Sequence, residues 1–506
     1  MRSQRQTPSA IDLIRQMAGQ AFSRSAGAPL TSGNAVELLF DSNENFPAWL
    51  SALGSARHSI MIEMYLFAND DFGRQVRALL IERARAGVHV YLLYDWLGSL
   101  GAHLSGFFAP LRQAGAEVRA FHPPSIGTGI DLLGRDHRKL IVVDGECAFI
   151  SGLCISSRWQ GAPGQGVPPW RDSGVRLNGP VVADTVAAFV DSWAVAGPPL
   201  DEKAAIRAIP ETCGDVAARL IATTPATAHM MRLDLLIASF ARQSLWLTDA
   251  YFVGTSLYLT ALKQAARDGV DVRLLVPRSS DISLVAALSR TLYRPLLEAG
   301  VRVFEWNGPM IHAKTAVADG RWARIGSTNL NISSWLANRE LDIALEDEGC
   351  ATTLANRFLA DLDNATEVVL IGQRRLPGLT RPRGRNHPPL LSAVAGGTAL
   401  GASAAARQAA RISDALGAVV RGTRTIDASE ATAFLSIGLV LLAASLACAI
   451  FPYLVAAPLA AVLGLGGISV VWRALGLQLA KRRKKQHPPA PDAAVPPSEP
   501  PPPPPF

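Results

Sequence analysis

Cysteine is scarce and scattered in this sequence, and that scarcity removes two classes of protein at once. Of 506 residues five are cysteine (Cys147, Cys154, Cys213, Cys350 and Cys448), an odd number with no CxxC spacing. Such a set builds neither a disulfide framework nor a zinc site, and a reducing compartment fits it best. The amino-terminal stretch MRSQRQTPSAIDLIRQMAGQAF lacks an uninterrupted apolar core with a cleavage site and carries arginines throughout, so no secretory signal is read there and export has no support. An acidic surplus is missing too: the formal net charge is +7 and the isoelectric point about 9.3. That balance suits an anionic partner, and charge alone does not choose between nucleic acid and acidic lipid.

What is there begins with length. A chain of 506 residues exceeds what one core supports, so two domain-sized units with appendages are expected. From about Val36 a helix-like stretch (46–56), a buried-strand run (SIMIEMYLF, 59–67), a second helix (73–86) and a strand (VHVYLLYD, 88–95) follow one another. The string ARAGVHVYLLYD (84–95) then returns as ARDGVDVRLLVP (266–277), and LRQAGAEVRAFHPP (111–124) as LLEAGVRVFEWNGP (296–309). One half has been duplicated. Alternating strands and helices predict an α/β fold of two such halves, each a mainly parallel sheet flanked by helices.

The segmentation read from composition is an amino-terminal arm (1–34), a first half (35–200), a Pro- and charge-rich linker (201–214), a second half (215–372) and a basic, then Ala/Gly-rich linker (373–430). Two uncharged apolar runs, Ala431–Phe451 and Leu454–Trp472, come next, turn at Phe451-Pro452-Tyr453, and are each long enough to cross a bilayer. They are read as a transmembrane helical hairpin over 431–473, against the alternative of a buried soluble hairpin. Basic residues flank both outer ends (Arg421 and Arg424; Lys481 to Lys485), which places those ends and the globular part in the cytoplasm. The Pro-rich tail (474–506) reads as extended low-complexity chain.

Each half reaches the same spacing, HxKxxxxD: HRKLIVVD gives His137, Lys139 and Asp144, and HAKTAVAD gives His312, Lys314 and Asp319. On a strand, residues two apart project from one face, so one imidazole and one ammonium can be aimed at one phosphate. A lone histidine is commonly structural; two identical spacings at the same point of both repeats carry chemistry. Displacement at a phosphodiester needs a nucleophile, a proton donor for the departing alkoxide and cations for the non-bridging oxygens. Two histidines and two lysines supply that set, and no metal or cofactor is then required.

On these paired motifs, and on IEMYLFANDDFGRQV, YDWLGS (94–99), HRKLIVVDGECAFISGL, WRDSGVRLNGP (170–180) and IHAKTAVADGRWARIGSTNLNISS, the sequence resembles the phospholipase D superfamily and, within it, the bacterial cardiolipin synthases, over residues 36–372. The resemblance implies two phospholipase D-like halves sharing one active site, and attack through a phosphohistidine. It makes His137 the nucleophile and His312 the acid and base, with the near symmetry leaving the reverse order open. It implies that Lys139, Lys314, Ser327 and Asn329 of GSTN hold the phosphate, and that a carboxylate downstream of each motif, Asp172 in WRDSG and Glu340 in NREL, orients an imidazole. Asp144 and Asp319 complete the catalytic signature but are read mainly as holding turns. The first half departs from the pattern at SGLC, where Cys154 stands in the place of Asn; a thiol cannot replace an amide, so phosphate contacts are expected to be asymmetric.

The reaction expected is conversion of two phosphatidylglycerols to cardiolipin and glycerol at a bacterial inner membrane, with phosphatidylethanolamine a variant donor and no nucleic acid partner. Hydrolysis of a phospholipid or nucleic acid phosphodiester, and a non-catalytic lipid-binding scaffold, are the competing readings.

Overall fold

The computed structural model describes residues 19–123, 134–200 and 210–370. The expected hairpin, its preceding linker, the Pro-rich tail and most of the 201–214 linker lie outside them. Among the described residues no helix is long and apolar enough to cross a membrane.

The repeat read from sequence becomes a repeat of strand order. In the first half β1 (Thr31–Phe40), β2 (Ser59–Met64), β3 (His89–Asp95), β4 (Glu117–Phe121), β5 (Lys139–Val143), β6 (Cys147–Ser151) and β7 (Ser173–Asn178) lie in the order β1-β7-β6-β5-β2-β3-β4. The second half, β8 (Val216–Thr223), β9 (Ser244–Thr248), β10 (Asp271–Pro277), β11 (Arg302–Trp306), β12 (Thr315–Ala318), β13 (Trp322–Gly326) and β14 (Glu340–Glu346), repeats it as β8-β14-β13-β12-β9-β10-β11, with β15 (Ala365–Val368) added at the far edge. The halves join through antiparallel β1–β8 contacts, Thr31 opposite Ala218 and Asn34 opposite Val216, into one sheet. Strand β1 starts at Thr31, so the last four residues read as an arm already belong to the sheet.

The expected mainly parallel character is corrected. Strands β2-β3-β4 and β9-β10-β11 are parallel, as their intervening helices require, but every other neighbouring pair is antiparallel. The cause is local. Each motif strand ends in Asp-Gly with both residues at positive φ (Asp144 57°, Gly145 68°; Asp319 51°, Gly320 65°), the start of a three-residue hairpin loop that sends β6 and β13 straight back.

Period-two alternation sorts the strand side chains between layers. Ile60, Ile62, Ile141 and Val143 face a core under the helices Asp41–Ser55 and Asp71–Arg85, while Met61, Leu140 and Val142 face the other side. That second core is shared: it also takes Val317, Ala323, Ile325, Leu341 and Ile343 from the second half, with Phe189 and Trp193 of the helix Val181–Val195 and Leu354 of the helix Glu348–Leu362. Burial of one apolar layer common to both halves fixes their relation, and so fixes what faces what at the strand ends.

Candidate active site

The two motifs meet because each docks on the other half through its own backbone. The segment before the first motif runs parallel to the segment before β14: His137 N donates to Arg339 O at 2.9 Å and Arg339 N to Arg135 O at 2.8 Å. The pseudo-equivalent bridge joins the second motif to the segment before β7, with His312 N donating to Arg171 O at 2.7 Å and Arg171 N to Met310 O at 2.9 Å. The motif residues therefore sit at the strand mouths rather than within strands: Lys139 opens β5, and Lys314 immediately precedes β12. Below, Arg138 is fully buried and donates to Ala188 O and Ser192 Oγ, each at 2.9 Å, pinning the first motif to the helix Val181–Val195.

Because the bridges cross between halves, so do the carboxylate partners. His137 Nδ1 lies 2.9 and 3.1 Å from the two oxygens of Glu340, 203 residues away in the second half. His312 Nδ1 lies 2.8 Å from Asp172 Oδ2 in the first half. Each acceptor is itself held: Glu340 accepts from Ser327 Oγ at 2.6 Å and Asn338 Nδ2 at 3.2 Å, and Asp172 from Trp159 Nε1 at 2.9 Å and Ser173 N at 2.8 Å. With Nδ1–H pointed at a carboxylate, the nucleophilic lone pair of each ring is on Nε2.

Aromatic walls enclose the pair. Tyr65 meets His137 edge-on at 4.9 Å and carries the Lys139 ammonium 5.0 Å above its ring; Tyr251 repeats this with His312 at 5.7 Å and Lys314 at 5.6 Å. Trp159 and Trp170, from the excursion after β6, which is longer than its counterpart between β13 and β14, pack on His312 at 5.4 and 5.9 Å. Lys314 Nζ stands 3.0 Å from both ring nitrogens of His312.

Burial dominates the proton affinities. It pushes His137 below its ordinary value, against the upward pull of Glu340, and with the Lys314 ammonium beside it pushes His312 down to about 4. Burial also pushes Lys314 down to about 8. For the two carboxylates burial works upward but loses: His312 and Lys314 hold Asp172 below its usual range, and His137 and Lys139 do the same for Glu340.

A sequence profile described as "Cardiolipin synthase, PLD-like domain" matches residues 236–362. A cardiolipin synthase of Alkalihalophilus pseudofirmus is 32% identical over 345 residues, covering 67% of this chain and 68% of that one. Cardiolipin synthase A of Pseudomonas fluorescens is 32% identical over 348 residues, 67% and 71% of the two chains. The chain belongs to the phospholipase D superfamily, in its cardiolipin synthase-like family. It is a phosphatidyltransferase of that superfamily, and its substrates are phospholipids. A solved phosphatidylserine synthase of Haemophilus influenzae shares the fold at a TM-score of 0.53 and 13% identity, covering 69% of this chain and 92% of that one.

Against the phospholipase D expectations, eight of the ten sequence-derived residues gather at the cleft and two do not. Asp144 accepts from the backbone N–H groups of Arg57, His58 and Ser59, and Asp319 from those of Arg242, Gln243 and Ser244, each tying the hairpin turn at the far end of its motif strand to the start of the neighbouring strand. They hold turns at the far ends of the motif strands and lie apart from the residues that gather at the cleft. Ser327 sits in the cleft, but its hydroxyl proton goes to Glu340 and its oxygen accepts from Leu341 N at 2.9 Å, so it orients a carboxylate rather than a phosphate. Asn329 is 4% exposed, its side-chain Oδ1 without a partner among the described residues, and Cys154, its counterpart, is buried, with burial raising its thiol.

Sequence reasoning missed the crossing itself, the tyrosines and the tryptophans. The tyrosines had a signal: both follow the strand that neighbours a motif strand, in IEMYLF and LTDAYF. Among the described residues no group of three or more His, Cys, Asp or Glu side chains is arranged to hold a metal ion.

Proposed function

We propose that this chain joins two phosphatidylglycerols into cardiolipin through a phosphohistidine. The observation that carries the reading is the crossed pair of carboxylate-held imidazoles, one from each half, flanked by two buried lysines. Nε2 of His137, which makes no hydrogen bond among the described residues, attacks the phosphodiester phosphorus while Lys139, Lys314 and the Asn329 amide receive its oxygens. The phosphorus–oxygen bond to the headgroup glycerol breaks, and His312 delivers a proton to that oxygen, so glycerol leaves. Lys314, its ammonium against the His312 ring and its pKa pushed down to about 8, keeps a proton within reach of that imidazole.

The headgroup hydroxyl of a second phosphatidylglycerol then returns a proton to His312 as its oxygen attacks phosphorus. The phosphorus–nitrogen bond breaks, and His137 is regenerated. Phosphatidylethanolamine would donate the same phosphatidyl group with ethanolamine departing. The two apolar runs at 431–473 and their basic flanks support a bacterial inner-membrane location with the site facing the cytoplasm.

The test is full-length protein reconstituted with labelled phosphatidylglycerol beside a His312→Ala control. Cardiolipin and glycerol, absent from the control, are the expected products. Phosphatidic acid alone would make the chain a hydrolase, and no turnover of any phospholipid would refute the proposal.

A further inference from the structure

The catalytic side chains all open at one edge of the sheet. Strands β2 and β9 end there and the antiparallel β5 and β12 begin there, with Met64 opposite Lys139 and Thr248 opposite Thr315. Three excursions at that edge expose large apolar side chains. The turn and short helix after β3 carry Leu97 and Leu104, 49% and 73% exposed. The segment after β10 carries Ile282 and Leu284, 47% and 59% exposed, and the excursion after β6 carries Val167, 44% exposed. Isolated exposed apolar residues are ordinary; ones gathered around a single mouth are not.

Each excursion is tied to an aromatic residue that touches a catalytic histidine. Ser99 Oγ donates to Tyr65 O at 3.1 Å and accepts from Phe67 N at 2.9 Å, so the Leu97 turn is locked to the tyrosine against His137. Asp281, one residue before Ile282, accepts from the Tyr251 hydroxyl at 2.8 Å, and Tyr251 meets His312. Val167 lies in a loop closed by its bridge to Ala162 and leads into Trp170, which packs on His312. Exposed arginines accompany them: Arg158, whose guanidinium lies 5.7 Å over the Trp170 ring, and Arg278 at the end of β10.

We propose that Leu97, Leu104, Val167, Ile282 and Leu284 form a rim that seats on a phospholipid bilayer, placing the cleft mouth at the depth of the phosphodiesters. The inference rests on the lipid-transfer reading. A diacyl lipid cannot be lifted into water to reach buried imidazoles without exposing its chains, so the protein must lower the site to the lipid. Apolar tips that enter the acyl boundary, with arginines level with anionic phosphates, do this, and the bonds to Tyr65 and Tyr251 make docking and site geometry one unit.

Two measurements on the full-length chain test it. With vesicles of phosphatidylglycerol bearing a diazirine in the acyl chain, photocrosslinks are expected on peptides spanning 96–106, 162–169 and 279–285 and not on 319–321 at the opposite edge. The double variant Leu104→Ser/Leu284→Ser is expected to lose about tenfold or more in kcat/KM on vesicles, and to retain wild-type turnover of short-chain phosphatidylglycerol dispersed as monomers. Crosslinks absent from the three loops, or the same change on both forms of substrate, would overturn the proposal. Crosslinks on the loops without turnover of either form would sustain the docking and sink the transfer reading.

Discussion

Removing the Glu340 charge tests the crossed architecture where it is most vulnerable. Glu340 is fully buried, and both oxygens face His137 Nδ1 at 2.9 and 3.1 Å. In Glu340→Gln one of those oxygens becomes an NH2 group. Ser327 and Asn338 both donate into this site, so the remaining carbonyl is contested and the NH2 is turned toward Nδ1. The ring then settles with its proton on Nε2, the nitrogen that must attack. Loss of a buried charge-assisted hydrogen bond costs about 1.5–3 kcal/mol. Loss of the imidazolium partner and the wrong tautomer bring the expected fall in the rate of attack to about 10²–10⁴-fold.

The assay separates this step from the proton delivered by His312. A phosphatidyl p-nitrophenol ester has a leaving group that needs no proton, so a His312→Asn protein should release one p-nitrophenolate per site in a burst and stop, its phosphohistidine unable to turn over. Adding Glu340→Gln should slow that burst by the stated factor. Adding Asp172→Asn should leave it within about threefold, because of the two imidazoles Asp172 holds only the one that has been removed. A burst abolished by Asp172→Asn and indifferent to Glu340→Gln would refute the crossed pairing.

Three further outcomes are expected. The kcat/KM profile against pH should be bell-shaped: its acid limb lies below the ordinary histidine range, because burial lowers the His137 pKa and delays uptake of the proton that blocks attack, and it falls above about 8 as Lys314 loses its charge; Lys314→Arg should remove the alkaline limb. Asp144→Ala should cost about 2–4 kcal/mol in denaturant unfolding by freeing three backbone N–H groups, yet leave turnover per folded molecule nearly unchanged; a loss of chemistry at full stability would restore Asp144 to the catalytic set. Gly152→Ala brings a Cβ to 2.1 Å from Asp172 Oδ1, so the carboxylate must move from His312 and kcat should drop by about 10²-fold with KM little changed.

Much of this site was legible in one dimension. The duplicated strings fixed that two equivalent halves exist, and a spacing of two residues fixed that each histidine travels with its lysine on one extended segment. The Asp-Gly that ends each motif carried the hairpin signal that makes the sheet mixed. Helix-linked parallel strands dominate the start of each repeat and mask that signal, whereas β5-β6-β7 and β12-β13-β14 are antiparallel neighbours.

What the chain order could not decide is which carboxylate serves which imidazole. Asp172 and Glu340 each follow the motif of their own half, and proximity in sequence assigns them there; their actual partners lie 140 and 203 residues away. That choice is made by the antiparallel β1–β8 junction and the single apolar layer shared by both halves, which bring the mouth of each motif strand against the lead-in to the other half's carboxylate strand. Residue types and local spacing are properties of the chain and set the chemistry available. Packing of two surfaces against each other is a property of the folded solid, and it alone determines that neither half holds a complete site.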